Sequence, residues 1–180
     1  VNGEDVRFDK LLEEKGAEIL GEAHLTRFGP NPGFLTKILD SAIRLPIQAH
    51  PDRPTAKRLY NSDYGKTEAW IVLGTREING ETPYIMLGFN ESLDEDLFRR
   101  ESLTGRLDKS LSMLHRHEVK PGDVLMVPGG AAHAIGTGVF MIEIMEPTDL
   151  VVQPEEYCGK QKLQVTERFG SIDDHAAALD

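Results

Sequence analysis

The sequence contains a single cysteine and no long apolar segment, which argues against a disulfide-stabilised protein and against a membrane-spanning one. One thiol, Cys158, cannot form a disulfide within the chain, so we expect a protein of a reducing compartment. No apolar run is long enough to span a bilayer, and the amino terminus lacks the pattern of a signal peptide. We therefore expect a cytoplasmic protein without a membrane partner. Because the chain begins at Val1 rather than methionine, we also expect a processed or partial copy of a longer chain.

Basic residues are scarce as well. The chain has 20 Lys and Arg against 30 Asp and Glu, which gives a formal net charge of −10. A net negative charge of this size repels polyanions, so we do not expect nucleic-acid binding. An anionic small molecule would have to be bound by a local group of cationic side chains. At 180 residues the chain is long enough for one domain with a sizeable core and short for two, so we predict a single domain over 1–180.

Four side chains in two distant stretches can together enclose a divalent metal ion. Gln48 and His50 alternate in a short run, and they point to the same face if this run is a strand. Glu68 and His133 follow in G-K-T-E-A-W and P-G-G-A-A-H. Two imidazoles, a carboxylate and an amide oxygen suit zinc, with iron, cobalt, nickel or manganese as alternatives. Because the set contains an amide and no thiolate, it favours a catalytic site with an open position over a structural zinc site.

Other polar residues need a separate interpretation. An isolated histidine is more often a surface residue than a ligand, and we apply that interpretation to His24, His115, His117 and His175. Glu143 lies within the apolar run 139–145, where a buried acid needs a partner or a function. Lys66 is equally consistent with an active-site cation and with an exposed loop charge.

A motif of the cupin barrel ends at His133. From Gly122 the chain reads G-D-V-L-M-V-P-G-G-A-A-H, which resembles the glycine, five residues, Pro-x-Gly-x-x-His pattern of that family. Pro128 ends the ladder of the preceding apolar strand, and Gly129 and Gly130 allow a tight corner that delivers His133 to the barrel mouth. The resemblance implies a mainly β fold, a cupin-type double-stranded β-helix or jelly-roll barrel.

Three motifs in order, L-P-I-Q-A-H-P-D, G-K-T-E-A-W and V-P-G-G-A-A-H-A-I-G, resemble the catalytic domain of type I phosphomannose isomerases over about 34–153. The resemblance implies a zinc-dependent mannose-6-phosphate isomerase, which interconverts mannose 6-phosphate and fructose 6-phosphate in carbohydrate metabolism. It implies catalytic roles for Lys66 and Glu143. It also implies that a single zinc ion is bound by Gln48, His50, Glu68 and His133.

Two positions depart from the pattern of this family. Pro46 stands where the family often has serine, and Gln153 aligns with an arginine near the substrate. The neutral amide at position 153 supports an alternative, a sugar-binding or regulatory cupin with little turnover. A metal-dependent enzyme acting on another small substrate, such as a dioxygenase, is a second alternative.

Periodicity predicts strands with helical additions. We predict an N-terminal helix over 5–20 and a helical insertion at about 91–115, the latter opened by a capping box at Ser92-Leu93-Asp94-Glu95. Asn79-Gly80 is a strong signal for a hairpin joining the strands on either side of it. The predicted strands are 34–47, 70–77, 83–89, 119–127 and 139–145.

Overall fold

The computed structural model describes residues 5–158 and 161–162. The chain divides into two compact units, Val1–Phe34 and Leu35–Asp180. The first unit is helical, with α1 (Phe8–Leu20) and α2 (Glu22–Phe28). The predicted N-terminal helix is present, whereas α2 was not predicted. A single catalytic domain over 1–180 stays a prediction.

The second unit contains two antiparallel sheets of three or more strands. The larger sheet has the strand order β1 (Leu35–Asp40), β7 (Val139–Met145), β2 (Glu68–Thr75) and β5 (Val124–Val127). The smaller sheet has the order β4 (Leu114–Glu118), β3 (Tyr84–Phe89) and β6 (His133–Ile135). A short pair, β8 (Tyr157–Cys158) and β9 (Gln161–Lys162), stands apart from both sheets.

Side chains of both sheets meet in one apolar core. Trp70 and Val72 of β2 and Met141 of β7 pack with Ile85 of β3 and Ile135 of β6, and all five are buried. Because side chains alternate along a strand, every second residue of β2 points to the space between the sheets. Burial along the first five residues of β2 follows this alternation, which places the first residue of the strand, Glu68, on the same inner face as Trp70.

Helices cover the opposite face of the smaller sheet. The predicted insertion contains α4 (Glu95–Thr104) and a 3₁₀ turn (Ser110–Met113), and its apolar side chains pack against Tyr84 and Met86 of β3. A further helix, α3 (Arg53–Tyr60), follows the His50 segment. No helix within the described ranges is both long enough and apolar enough to cross a membrane.

The predicted hairpin across Asn79-Gly80 is wrong in its pairing. Asn79 (φ 56°) and Gly80 (φ 80°) have the positive φ values of the expected tight turn. However, β2 belongs to the larger sheet and β3 to the smaller, so around the turn only Ile78 and Glu81 form a bridge. The local turn chemistry was therefore predicted correctly, but the chain uses the turn to pass between the two sheets.

Candidate metal centre

Three of the four predicted metal ligands converge in the interior. His50, Glu68 and His133 each offer one ligand atom, and these atoms all lie within 4.8 Å of one another. Each side chain comes from a different part of the fold, since His50 precedes α3, Glu68 opens β2 and His133 opens β6. All three residues are at most 2% exposed. Among the described residues, no other group of three or more His, Cys, Asp or Glu side chains has this arrangement.

Both imidazoles are oriented by backbone carbonyl groups. His50 Nδ1 lies 2.8 Å from Leu150 O, and His133 Nδ1 lies 2.9 Å from Ala131 O. A carbonyl oxygen only accepts hydrogen bonds, so each Nδ1 carries the proton and each Nε2 presents a lone pair. Burial lowers the pKa of His50 and lowers the pKa of His133 to about 4. Both rings are therefore neutral near pH 7, which is the form that binds metals.

The inward-facing atoms of this group are mostly acceptors. Glu68 Oε1 and His133 Nε2 are buried without a hydrogen-bond partner. Glu68 Oε1 lies 3.1 Å from His50 Nε2 and 3.2 Å from Lys66 Nζ, but neither contact has hydrogen-bond geometry. Buried acceptors without donors cost about 1–3 kcal/mol each, and lone pairs that face one another repel. A cation among these atoms would remove both costs, so the donor set fits a divalent metal.

Gln48 is placed beside these ligands by its backbone. It forms an antiparallel bridge with His133, in which Gln48 N donates to His133 O at 2.9 Å and His133 N donates to Gln48 O at 2.8 Å. Residues directly opposite each other in such a pair point to the same face. Gln48 is half-buried, and the role of its side-chain amide as the fourth ligand stays a prediction.

Lys66 and Glu143 lie beside the candidate ligands. Lys66 is only 6% exposed, so the interpretation as an exposed loop charge is wrong. Glu143 is directly opposite Trp70 in the register of β7 and β2. Burial and the Glu68 carboxylate raise the pKa of Glu143 to about 7.

The corner before His133 depends on a close approach of two backbones. A β-carbon at Gly129 would lie 2.6 Å from Cα of Asp52, so only glycine fits there. The next residue, Gly130 (φ 90°), donates its N–H to His50 O at 2.7 Å. The loop that carries His133 is thereby joined directly to the segment that carries His50.

The sequence motifs do not identify two partners of the ligands. Trp70 Nε1 donates to Glu68 Oε2 at 3.0 Å, and the Trp70 ring meets His133 edge to face at 5.4 Å between centroids. Residues two apart on a strand share a face, so the position of Trp70 after Glu68 was a usable signal. The Leu150 carbonyl gave no such signal, because any backbone carbonyl can accept and this one is 100 residues from His50.

The remaining predicted positions lie outside the group of ligands. His115 and His117 are exposed on β4, and His24 Nε2 lies 2.6 Å from Asn31 O. His175 is outside the described residues. Gln153 is half-buried and donates from Nε2 to Glu155 O at 3.1 Å.

The chain is similar in sequence to known mannose-6-phosphate isomerases. The phosphomannose isomerase type I catalytic domain matches residues 2–70. The mannose-6-phosphate isomerase of Streptococcus mutans is 36% identical over 155 residues, which are 86% of this chain and 45% of that protein. Mannose-6-phosphate isomerase ManA of Bacillus subtilis is 32% identical over 163 residues, which are 88% of this chain and 49% of that protein. The chain belongs to the type I phosphomannose isomerase family.

The fold of this phosphomannose isomerase family member matches solved structures. The crystal structure of mannose 6-phosphate isomerase from Bacillus subtilis superimposes with a TM-score of 0.71 at 25% identity, covering 95% of this chain and 50% of that chain. The predicted fold class, mainly β and of the cupin type, is confirmed. The chain spans about half the length of the curated relatives it matches.

Proposed function

We propose that this chain carries the metal-dependent site of a mannose-6-phosphate isomerase, which interconverts mannose 6-phosphate and fructose 6-phosphate. The convergence of His50, Glu68 and His133 in a buried position supports this most directly. The names of the relatives at 32% and 36% identity point to the same reaction. Such a reaction on a soluble sugar phosphate also fits a cytoplasmic location, which is part of the proposal.

We propose zinc as the ion. Two neutral imidazoles and one carboxylate are the protein ligands of several catalytic zinc sites, in which a further position binds water or substrate. Iron, cobalt, nickel and manganese accept the same donors, so availability would decide among them. When bound, the ion would act as a Lewis acid that polarises the carbonyl group of the sugar.

The proton transfer is assigned to Glu143. Aldose–ketose isomerisation takes a proton from C2 of the open-chain aldose and returns it to C1, while a hydroxyl proton moves from O2 to O1. This sequence passes through a cis-enediol and needs a base that reaches both carbons. A carboxyl group with a pKa of about 7 can accept and release a proton near neutral pH. The Lys66 ammonium, 3.2 Å from Glu68 Oε1, would stabilise negative charge developing on oxygen.

Three variants and a coupled assay of fructose 6-phosphate formation test this proposal. Glu143→Gln should lower turnover by at least about 100-fold and keep the metal, because general base catalysis contributes about 10²- to 10⁴-fold. His133→Ala should lose both activity and metal content, measured by elemental analysis. His117→Ala, an exposed histidine on β4, is the control and should match the wild type. Full activity in His133→Ala would reject a metal-dependent mechanism.

Gln153 favours a second candidate, a sugar-binding or regulatory protein with little turnover. Its amide is neutral and is bonded to the Glu155 carbonyl, so it brings no charge to the site. Wild-type protein that binds mannose 6-phosphate without turnover would support this candidate. A large gain in rate in Gln153→Arg would then indicate an isomerase site that has lost one charged group.

A further inference from the structure

Trp70 contacts two of the three candidate ligands at once. Its indole Nε1 donates to Glu68 Oε2 at 3.0 Å, and its ring meets the His133 imidazole at 74° with 5.4 Å between centroids. Trp70 and Glu68 are two residues apart on β2 and share its inner face. The indole is fully buried, so this contact is shielded from solvent.

The indole N–H donates to only one carboxylate oxygen of Glu68, so the two oxygens differ in their hydrogen bonding. Oε2 accepts from the indole, whereas Oε1 has no hydrogen-bond partner and lies 3.1 Å from His50 Nε2 and 3.2 Å from the Lys66 ammonium. A carboxylate can bind a metal through one oxygen or through both. With Oε2 bonded to a donor, Oε1 is the oxygen left for an ion. Binding through one oxygen keeps the number of protein ligands low enough for water or substrate to enter.

The larger sheet holds the indole in this position. β2 lies between β7 and β5, so Trp70 is opposite Glu143 on one side and Leu125 on the other. Apolar packing alone does not require tryptophan, since phenylalanine would fill much of the same space. A buried indole N–H needs an acceptor, and here the acceptor is a candidate metal ligand.

We propose that Trp70 is a positioning residue that holds Glu68 in a one-oxygen binding mode and fixes the ring of His133. The inference rests on the metal site of the proposed function and is independent of which sugar is the substrate. Removing such an outer partner of a metal ligand typically weakens metal affinity by about 10- to 100-fold.

Trp70→Phe tests this role, because it keeps an aromatic ring and removes the N–H. Zn²⁺ affinity of the metal-free protein, measured by competition with a chromogenic chelator, should fall by about 10- to 100-fold. The Co²⁺ absorption spectrum should change towards a higher coordination number as Glu68 gains freedom to bind through both oxygens. Val72→Ala, which removes buried atoms from the next inner-face position of β2, is the packing control. It should lower the melting temperature and leave Zn²⁺ affinity unchanged.

Unchanged Zn²⁺ affinity in Trp70→Phe would overturn the inference, as would an equal loss of affinity in Val72→Ala. A measurement on the wild type keeps the test decisive if Trp70→Phe does not fold. Trp70 is the single tryptophan of the chain, so its emission should change as Zn²⁺ is added to metal-free protein. A constant emission while the chelator reports binding would also overturn the inference.

The outcomes separate this inference from the proposed function. Wild-type protein that binds no Zn²⁺ would refute both the positioning role of Trp70 and the proposed function. Wild-type protein that binds Zn²⁺ but does not isomerise mannose 6-phosphate would remove the proposed reaction. In that case, weakened Zn²⁺ binding by Trp70→Phe would still establish the positioning role.

Discussion

Lys66 brings a positive charge to the candidate metal ligands themselves. Its Nζ lies 3.2 Å from Glu68 Oε1 and 3.3 Å from His50 Nε2, and the side chain is buried. The same ammonium that would stabilise a reacting oxygen must therefore repel a metal cation. Catalysis and metal affinity make opposite demands on this residue.

Lys66→Met should separate these two effects. Unit charges about 4 Å apart interact by about 4 kcal/mol at an effective dielectric constant of 20. The flexible side chain can turn away from an ion, so we expect only about 1.4 kcal/mol to be recovered, or a tenfold gain in Zn²⁺ affinity. Isomerase turnover should fall in the same variant, because the charge near the substrate is gone. Chelator competition and the coupled assay measure the two quantities.

Lys57→Met provides the matched control for Lys66→Met. Lys57 is an exposed lysine whose ion pair with Asp63 is on the surface, so neither Zn²⁺ affinity nor turnover should change. A loss of Zn²⁺ affinity in Lys66→Met would contradict the electrostatic argument and show that the lysine supports the ligands sterically.

At the scale of single residues, sequence motifs identified the side chains that converge. His50, Glu68 and His133 each lie in a motif whose neighbouring residues already specify a turn or a strand start. The burial of Lys66 could not be predicted, because an isolated lysine just before a strand can point either to solvent or to the protein interior. The carbonyl groups of Leu150 and Ala131 were equally hidden, since they contribute through backbone atoms that every residue has.

At the scale of elements, local chemistry predicted where the chain turns better than which strands pair. The Asn79-Gly80 turn is present, but packing between the sheets sends β3 away from β2. The predicted capping box at Ser92 is wrong, because Asp94 is the N-cap of α4 and its side chain accepts from Leu97 N at 2.9 Å. Both residues can cap a helix, so sequence alone could not choose between neighbouring starts.

Helix α3 depends on a cap directly after the His50 segment. Asp52 Oδ1 accepts from Thr55 N at 2.8 Å, and hydrogen bonds from Thr55 lower the pKa of Asp52. We expect Asp52→Ala to reduce the free energy of unfolding by about 1 kcal/mol at pH 7. Asp52→Asn keeps an acceptor oxygen and should stay within a few tenths of a kcal/mol of the wild type. Urea unfolding of the three proteins measures these differences.

The same variants predict a pH dependence. Because the folded pKa of Asp52 is below its ordinary value of 3.8, the ionised cap stabilises the protein above that pH and stops doing so as the pH falls through the folded pKa. The stability advantage of wild type over Asp52→Ala should therefore narrow only below about pH 4. Equal destabilisation in the Asn and Ala variants at pH 7 would show that Asp52 acts through something other than capping.

At the scale of the molecule, the fold class followed from a motif, whereas the assembly of the site did not. The glycine- and proline-rich corner ending at His133 resembles the motif of the cupin family, and that resemblance implied the fold class. The contacts that join the ligand segments come from other parts of the chain. Ala49 forms a bridge with Val152, so the residues after β7 form part of the support of His50.

A buried ion pair between Arg44 and Glu155 joins the chain before His50 to the chain after β7. Glu155 accepts from Arg44 Nη2 on Oε1 at 2.6 Å and from Arg44 Nη1 on Oε2 at 2.8 Å. Glu155 Oε2 also accepts from the backbone N–H of Ile47 at 2.7 Å. The Glu155 side chain is 1% exposed, so water cannot replace it if it is removed. The pair thus joins the approach to His50 to the segment that supplies the Leu150 carbonyl.

We expect Glu155→Ala to reduce the free energy of unfolding by about 3–5 kcal/mol, because it removes the carboxylate that pairs with the Arg44 guanidinium and accepts from the Ile47 N–H. Glu155→Gln should cost less, since one amide oxygen can still accept from Ile47 N. Asp63→Ala, which breaks the exposed pair with Lys57, should change the stability by no more than about 1 kcal/mol and is the control in urea unfolding.

Zn²⁺ affinity should fall in Glu155→Ala and stay unchanged in Asp63→Ala, because only the buried pair positions His50. Similar stability losses in Glu155→Ala and Asp63→Ala would show that the buried pair does not support the site.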